Sequence, residues 1–68
     1  MNLEDLLFVV NDDTMVTLLD NETGDILVDP TPNSDLLSGT EYDCCLVMDV
    51  SAYNVGDYND ILTVCIEV

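Results

Sequence analysis

The chain contains no lysine, no arginine and no histidine. Against those zeros stand 15 aspartate and glutamate residues in a chain of 68, giving a formal net charge of −15. At ordinary composition roughly 8 basic residues would be expected, and drawing none has a chance probability on the order of 10⁻⁴. The absence excludes much chemistry. The usual general bases, phosphate clamps and cationic transition-state stabilisers are all missing. No carboxylate has a side-chain cation to pair with, so self-repulsion opposes the compact state, most of all at low salt. Long hydrophobic runs are missing too. No stretch reaches the roughly 18 apolar residues that a membrane-spanning helix needs, and an acidic surface disfavours anionic lipid. No secretory leader is expected, because the first residues lack a basic region and Glu4 and Asp5 interrupt their apolar run.

What remains is enough to fold. Hydrophobic residues make up 49% of the chain, whereas disorder requires high net charge together with low hydrophobicity. The length suits one small domain near the lower limit for independent folding, so residues 1–68 are read as a single acidic α+β domain. Three cysteines, Cys44, Cys45 and Cys65, are an odd number. Adjacent Cys44 and Cys45 would point to opposite faces of a strand and suit no mutual disulfide. No spacing matches a zinc site, so they are read as small buried hydrophobes in a reducing cytosol.

The organising stretch is Thr14 to Asp29, TMVTLLDNETGDILVD. Apolar residues on either side of Asp20-Asn21-Glu22-Thr23-Gly24-Asp25 read as two strands joined by a tight turn, with Gly24 free to adopt positive φ. Before it, residues 2–10 predict a short amphipathic helix with Leu3, Leu6, Leu7 and Val10 on one stripe. Asn2 is its expected N-cap, and Glu4 and Asp5 occupy the first turn, where the helix dipole favours them. After it, Pro30 is expected to end the strand. Thr31-Pro32 should open a one- to two-turn helix that carries Leu36 and Leu37 to the core and stops at Gly39, with Asp35 on the surface.

A second hairpin is expected from residues 42–50 and 61–68. Alternation would put Cys44, Leu46, Met48 and Val50 inward and Asp43, Cys45, Val47 and Asp49 outward. In the last strand Leu62, Val64, Ile66 and Val68 would face inward, with Ile61, Thr63, Cys65 and Glu67 outward. Residues 51–60 would form an acidic loop with Tyr53 and Tyr58 near its base. The expected order is α-β-β-α-β-β: a four-stranded, mainly antiparallel sheet with the N-terminal helix packed on one face.

Catalysis is not expected. Two carboxylates can hydrolyse glycosides, but so short a chain leaves little room for a sugar cleft. No Gly-rich phosphate loop is present. Calcium is the fairer rival, yet Asp20-Asn21-Glu22-Thr23-Gly24 places its glycine one position early for an EF-hand and has no closing glutamate. No metal site and no cofactor are expected. Direct nucleic-acid binding is disfavoured, since phosphate contacts need cations.

An anionic protein is steered to basic surfaces, and the most concentrated of these are nucleic-acid-binding grooves. Duplex DNA carries one charge per roughly 1.7 Å of axis, so its charge over about 25 Å equals that of this chain. A compact domain of this length has a radius of gyration of roughly 11 Å, so charge per unit length approaches that of B-DNA. Acidity can also serve solubility or high-salt adaptation, or mark a small acidic adaptor that binds a basic protein without any mimicry.

The length, the hairpin VTLLDNETGDILVD and the following TPNSDLL resemble small acidic proteins encoded by phages of Gram-positive bacteria. Size and charge are similar to phage DNA mimics, which include anti-restriction proteins, uracil-glycosylase inhibitors and anti-CRISPR proteins. The resemblance implies an inhibitor that occupies the nucleic-acid groove of a host defence protein in the cytoplasm of an infected bacterium. A CRISPR effector is favoured as partner, with restriction and repair enzymes next; self-association as a homodimer stays open. The expected contact residues are the acids without a capping role. They are Asp20, Glu22, Asp25 and Asp29 on the first hairpin, Asp43, Asp49, Asp57, Asp60 and Glu67 on the second, and Asp12 and Asp13 at the helix end. Tyr53 and Tyr58 are added as interface anchors, a role in which tyrosine is favoured.

Overall fold

The computed structural model describes the backbone of residues 1–55 and 58–68 and the side chains of residues 1–52 and 61–68. Two short helices and four strands follow in the order α1 (Leu3–Leu7), β1 (Met15–Asp20), β2 (Ile26–Pro32), α2 (Asn33–Leu36), β3 (Leu46–Val55) and β4 (Tyr58–Glu67). The strands form one mixed sheet in the order β2-β1-β4-β3. The outer pairings, β1 with β2 and β3 with β4, are antiparallel, as the two-hairpin reading requires. The central pairing is parallel: Val16 lies opposite Leu62, Leu18 opposite Val64 and Asp20 opposite Ile66. The "mainly antiparallel" expectation thus holds only at the flanks.

The core forms where α1 and α2 cover the middle of the sheet. Leu3 and Leu7 of α1, Leu36 of α2, Val16 and Leu18 of β1, and Val64 and Ile66 of β4 make one buried cluster. Leu6 and Val10 pack against it, completing the predicted stripe. Asn2 caps α1, its Oδ1 accepting the Asp5 N–H at 3.1 Å.

The helix is shorter than residues 2–10. Beyond Leu7 the N–H groups of Val9 and Val10 reach back only three residues, to the carbonyls of Leu6 and Leu7, and β-branched valines favour such an ending. Asn33 completes it. Its Nδ2 donates to the carbonyls of Leu7 and Val10, both at 2.9 Å, adding a second bond to the Leu7 carbonyl, which also accepts the Val10 N–H, and satisfying the Val10 carbonyl beyond the helix end. The residue is fully buried, and its Oδ1 has no partner among the described residues.

Pro30 does not end β2, which runs to Pro32. The strand lies on the edge of the sheet, where a missing N–H costs no ladder bond. Helix α2 accordingly starts one residue late, with Pro32 at the N-cap position, and only Leu36 reaches the core, Leu37 being exposed. The β1–β2 turn matches expectation. Asp20 N–H donates to the Asp25 carbonyl at 2.9 Å, Gly24 N–H donates to the Asp20 carbonyl at 2.8 Å, and Gly24 has φ +78°. Nothing lies within 4 Å of a Cβ built at Gly24, so Gly24→Ala isolates the backbone cost of positive φ. It should destabilise the fold by about 1 kcal/mol and lower Tm by about 4–8 °C in a thermal melt.

The second hairpin departs most from the alternating pattern. Residues 41–45 form turns instead of strand, and β3 begins at Leu46. A bulge at Met48, between the pairs Val47–Ile66 and Asp49–Cys65, shifts the facing. Val47 and Cys45, expected outward, pack on the core. Cys44, Leu46, Met48 and Val50, expected inward, are exposed. Period-two reasoning fails across a bulge: Val47 pairs with buried Ile66 before it and Val50 with buried Val64 after it, so the core-facing positions switch from odd to even and the expected phase holds only beyond Met48. Residues 51–55 and 58–60, expected as loop, extend β3 and β4.

In β4, Val64 and Ile66 are buried, while Val68, just beyond the strand, is exposed. Ile61 and Thr63, expected outward, are buried too. Cys65 is half-buried and Glu67 exposed, and all three cysteines are free thiols. Among the described residues no helix is long and apolar enough to cross a membrane.

Candidate functional site

The described acids are exposed or half-buried on a body measuring 29 × 25 × 16 Å. Of the sequence-predicted contact residues, Asp12, Asp13, Glu22, Asp25, Asp29, Asp49 and Glu67 are exposed, and Asp20 and Asp43 are half-buried. Asp57 lies outside the described residues, as do the side chains of Asp60, Tyr53 and Tyr58.

Two of the predicted contacts already serve their own loops. Asp20 Oδ1 accepts the Glu22 N–H at 2.8 Å, holding the β1–β2 turn. The Asp43 carboxylate accepts the Thr40 hydroxyl at 3.0 Å and, with both oxygens, the Thr40 N–H at 3.3 Å. Asp43 is therefore explained by turn structure. Next to it, the Tyr42 phenol is pushed above its ordinary range by desolvation and then by the Glu41 carboxylate.

The parallel β1–β4 pair joins acids that the sequence places in separate hairpins. Both strands run the same way, so their carboxyl ends sit side by side, and the Asn21 N–H donates to the Ile66 carbonyl at 2.8 Å across the junction. There Asp20, Asn21 and Glu22 from the first hairpin meet Glu67 of β4, Val68 just after it and Met48 from the β3 bulge. Together they line a groove of about 260 Å³. A lining that combines three carboxylates with the apolar Met48 and Val68 suits a lysine or arginine side chain, whose apolar stem lies on apolar surface while its head meets carboxylates.

No family model, curated protein or solved structure matches the chain. The site therefore rests on its own chemistry. Among the described residues no three His, Cys, Asp or Glu side chains are grouped to hold a metal ion.

A second groove, of about 100 Å³, lies between the helices and is lined by Glu4, Leu7, Phe8, Leu36, Leu37 and Asp43. Phe8 is 80% exposed, and Val9 and Leu37 are exposed near it in the chain or groove. Sequence reasoning missed this patch. A signal was present, since Phe8 and Val9 lie off the Leu3-Leu6-Leu7-Val10 stripe and had no predicted place in the core. Glu4, set aside as a first-turn acid of α1, thus shares a groove with exposed apolar surface.

Proposed function

We propose that this protein is a non-enzymatic inhibitor that acts as a DNA mimic, occupying the basic nucleic-acid-binding groove of a host defence protein in the bacterial cytoplasm. A CRISPR-Cas effector is the favoured target, with restriction and repair enzymes next. The observation that carries the reading is a net charge of −15 without one side-chain cation, spread over a body 29 Å in its longest dimension. That charge equals about 25 Å of duplex at one charge per roughly 1.7 Å. The Asp20–Glu22–Glu67 groove supports it by offering lysine and arginine a local concentration of carboxylates.

One observation favours a second reading, a small acidic adaptor that binds a basic protein away from its nucleic-acid site. A phosphate backbone has no counterpart to exposed Phe8, Val9 and Leu37, and such apolar residues suit an ordinary protein interface.

The deciding experiment uses the protein as bait in bacterial lysate, followed by displacement with duplex DNA or guide RNA. The mimic reading expects a nucleic-acid enzyme that is released by the added nucleic acid. A partner that keeps its nucleic acid while bound to the bait would replace mimicry with the adaptor. In the recovered complex, Glu22→Lys, Asp25→Lys and Glu67→Lys together should weaken binding by about 10²-fold, since charge reversals at separate rim positions add. Asp20 is left intact in this variant because it holds the turn.

A further inference from the structure

We propose that the outer edge of β3, from Asp49 onward, is a docking edge that takes an extended basic segment of the partner protein as a fifth strand. The inference relies on the proposed function only for the basic character of that partner. Strand β3 is the last in the sheet, with β4 on one side and no strand on the other among the described residues. Its first residues are already closed. Asn2 bridges antiparallel to Leu46, and the Val47 N–H donates to the Met1 carbonyl at 3.0 Å. The chain's own Met1 and Asn2 thus lie along this edge as far as Val47.

Beyond the bulge the edge stays open, and Asp49, Val50, Ser51 and Ala52 are all exposed. An edge of this kind presents unpaired N–H and C=O groups that an extended peptide can complete.

The alternation along this edge specifies the occupant. Asp49 and Ser51 share the face of Cys65 and Thr63, whereas Val50 and Ala52 share that of Val64 and Leu62. A matching strand places a lysine or arginine opposite Asp49 and an apolar side chain opposite Val50, because directly opposed residues interact across a strand pair. A second copy of this chain fits poorly. It would bring another −15 with no side-chain cation to set against Asp49.

The probe is a synthetic eight-residue peptide alternating lysine and valine, titrated into the full chain while backbone amides are followed by NMR hydrogen exchange. Every second amide from Asp49 along β3 should gain protection. Asp49→Lys should weaken the peptide by about three- to tenfold. A peptide of equal charge alternating lysine and glycine should bind at least tenfold more weakly. N-methylation of the lysine–valine peptide on its pairing edge should abolish β3 protection while leaving the protein untouched.

Equal binding by all three peptides, or no new protection along β3, would overturn the docking edge and leave only diffuse attraction between opposite charges. No nucleic acid is present in this assay. Failure of the mimic reading therefore leaves its result standing, and failure here leaves the competition experiment intact.

Discussion

Asn33→Asp should leave the protein largely unfolded at neutral pH. The wild-type amide donates to the carbonyls of Leu7 and Val10 at 2.9 Å each, from a site with no solvent exposure. An ionised carboxylate has no proton to donate there. It would face two carbonyl oxygens, while the buried charge finds no side-chain cation anywhere in the chain. An uncompensated buried charge costs about 3–5 kcal/mol, and a domain of this size has a total stability of only about 3–10 kcal/mol.

The pH dependence gives the change a signature. Burial raises the folded-state pKa of the new carboxyl above its unfolded value of about 3.9. The folded state then binds more protons between those two pKa values, so stability falls as pH rises through that window and recovers on acidification. Asn33→Ala also removes both hydrogen bonds and leaves the Val10 carbonyl without its donor, at about 1–3 kcal/mol, but it adds no buried charge, so its gain on acidification should not exceed that of wild type. Urea titrations of both variants at pH 4 and pH 7 separate them. If the Asn33→Asp variant proved as stable as wild type at pH 7, the amide would not be what holds the helix end.

Salt should act on the fold and on the complex in opposite directions. The screening length is about 30 Å at 0.01 M salt and about 3 Å at 1 M. The longest dimension of the molecule is 29 Å. At low salt every carboxylate therefore senses every other, and at high salt only its neighbours, so Tm should rise with added sodium chloride. Binding to a basic groove should weaken over the same range. A ligand that replaces about six phosphate contacts loses on the order of 10³-fold in affinity between 50 and 200 mM salt. Thermal melts and titrations at matched ionic strengths test both halves. An affinity loss below tenfold would show that these carboxylates do not stand in for phosphates.

How much of this was legible in the sequence depended on whether a signal was local. The N-cap at Asn2, the apolar stripe of α1 and the Gly24 turn all involve residues a few positions apart, and all appear as read. Gly39 also adopts positive φ just beyond α2. The inward facing of Cys45 and Val47 was not legible, because nothing in YDCCLVMDV distinguishes a bulge at Met48, which puts Val47 and Val50 on one face, from regular alternation. Nor was the pairing of β1 with β4, which depends on how two hairpins are laid together. That one pairing decides the candidate site. It makes Asp20 and Glu22 neighbours of Glu67, three acids that the sequence divides between two groups. The exposed position of Phe8 could have been read from the helical period, but the shortening of α1 that accompanies it could not.

The parallel seam also governs how the chain reaches its native state. Leu18 and Val64 are opposite each other although 46 positions separate them. Local hairpins close in microseconds, but contacts of such long sequence separation are made late and slowly. During that delay β1 and β2 can pair only with each other, leaving the side of β1 that carries the seam bare and open to wrong partners. Mutual repulsion between copies, each at −15, keeps such waiting chains apart. The charge that burdens the finished fold thereby protects the unfinished one.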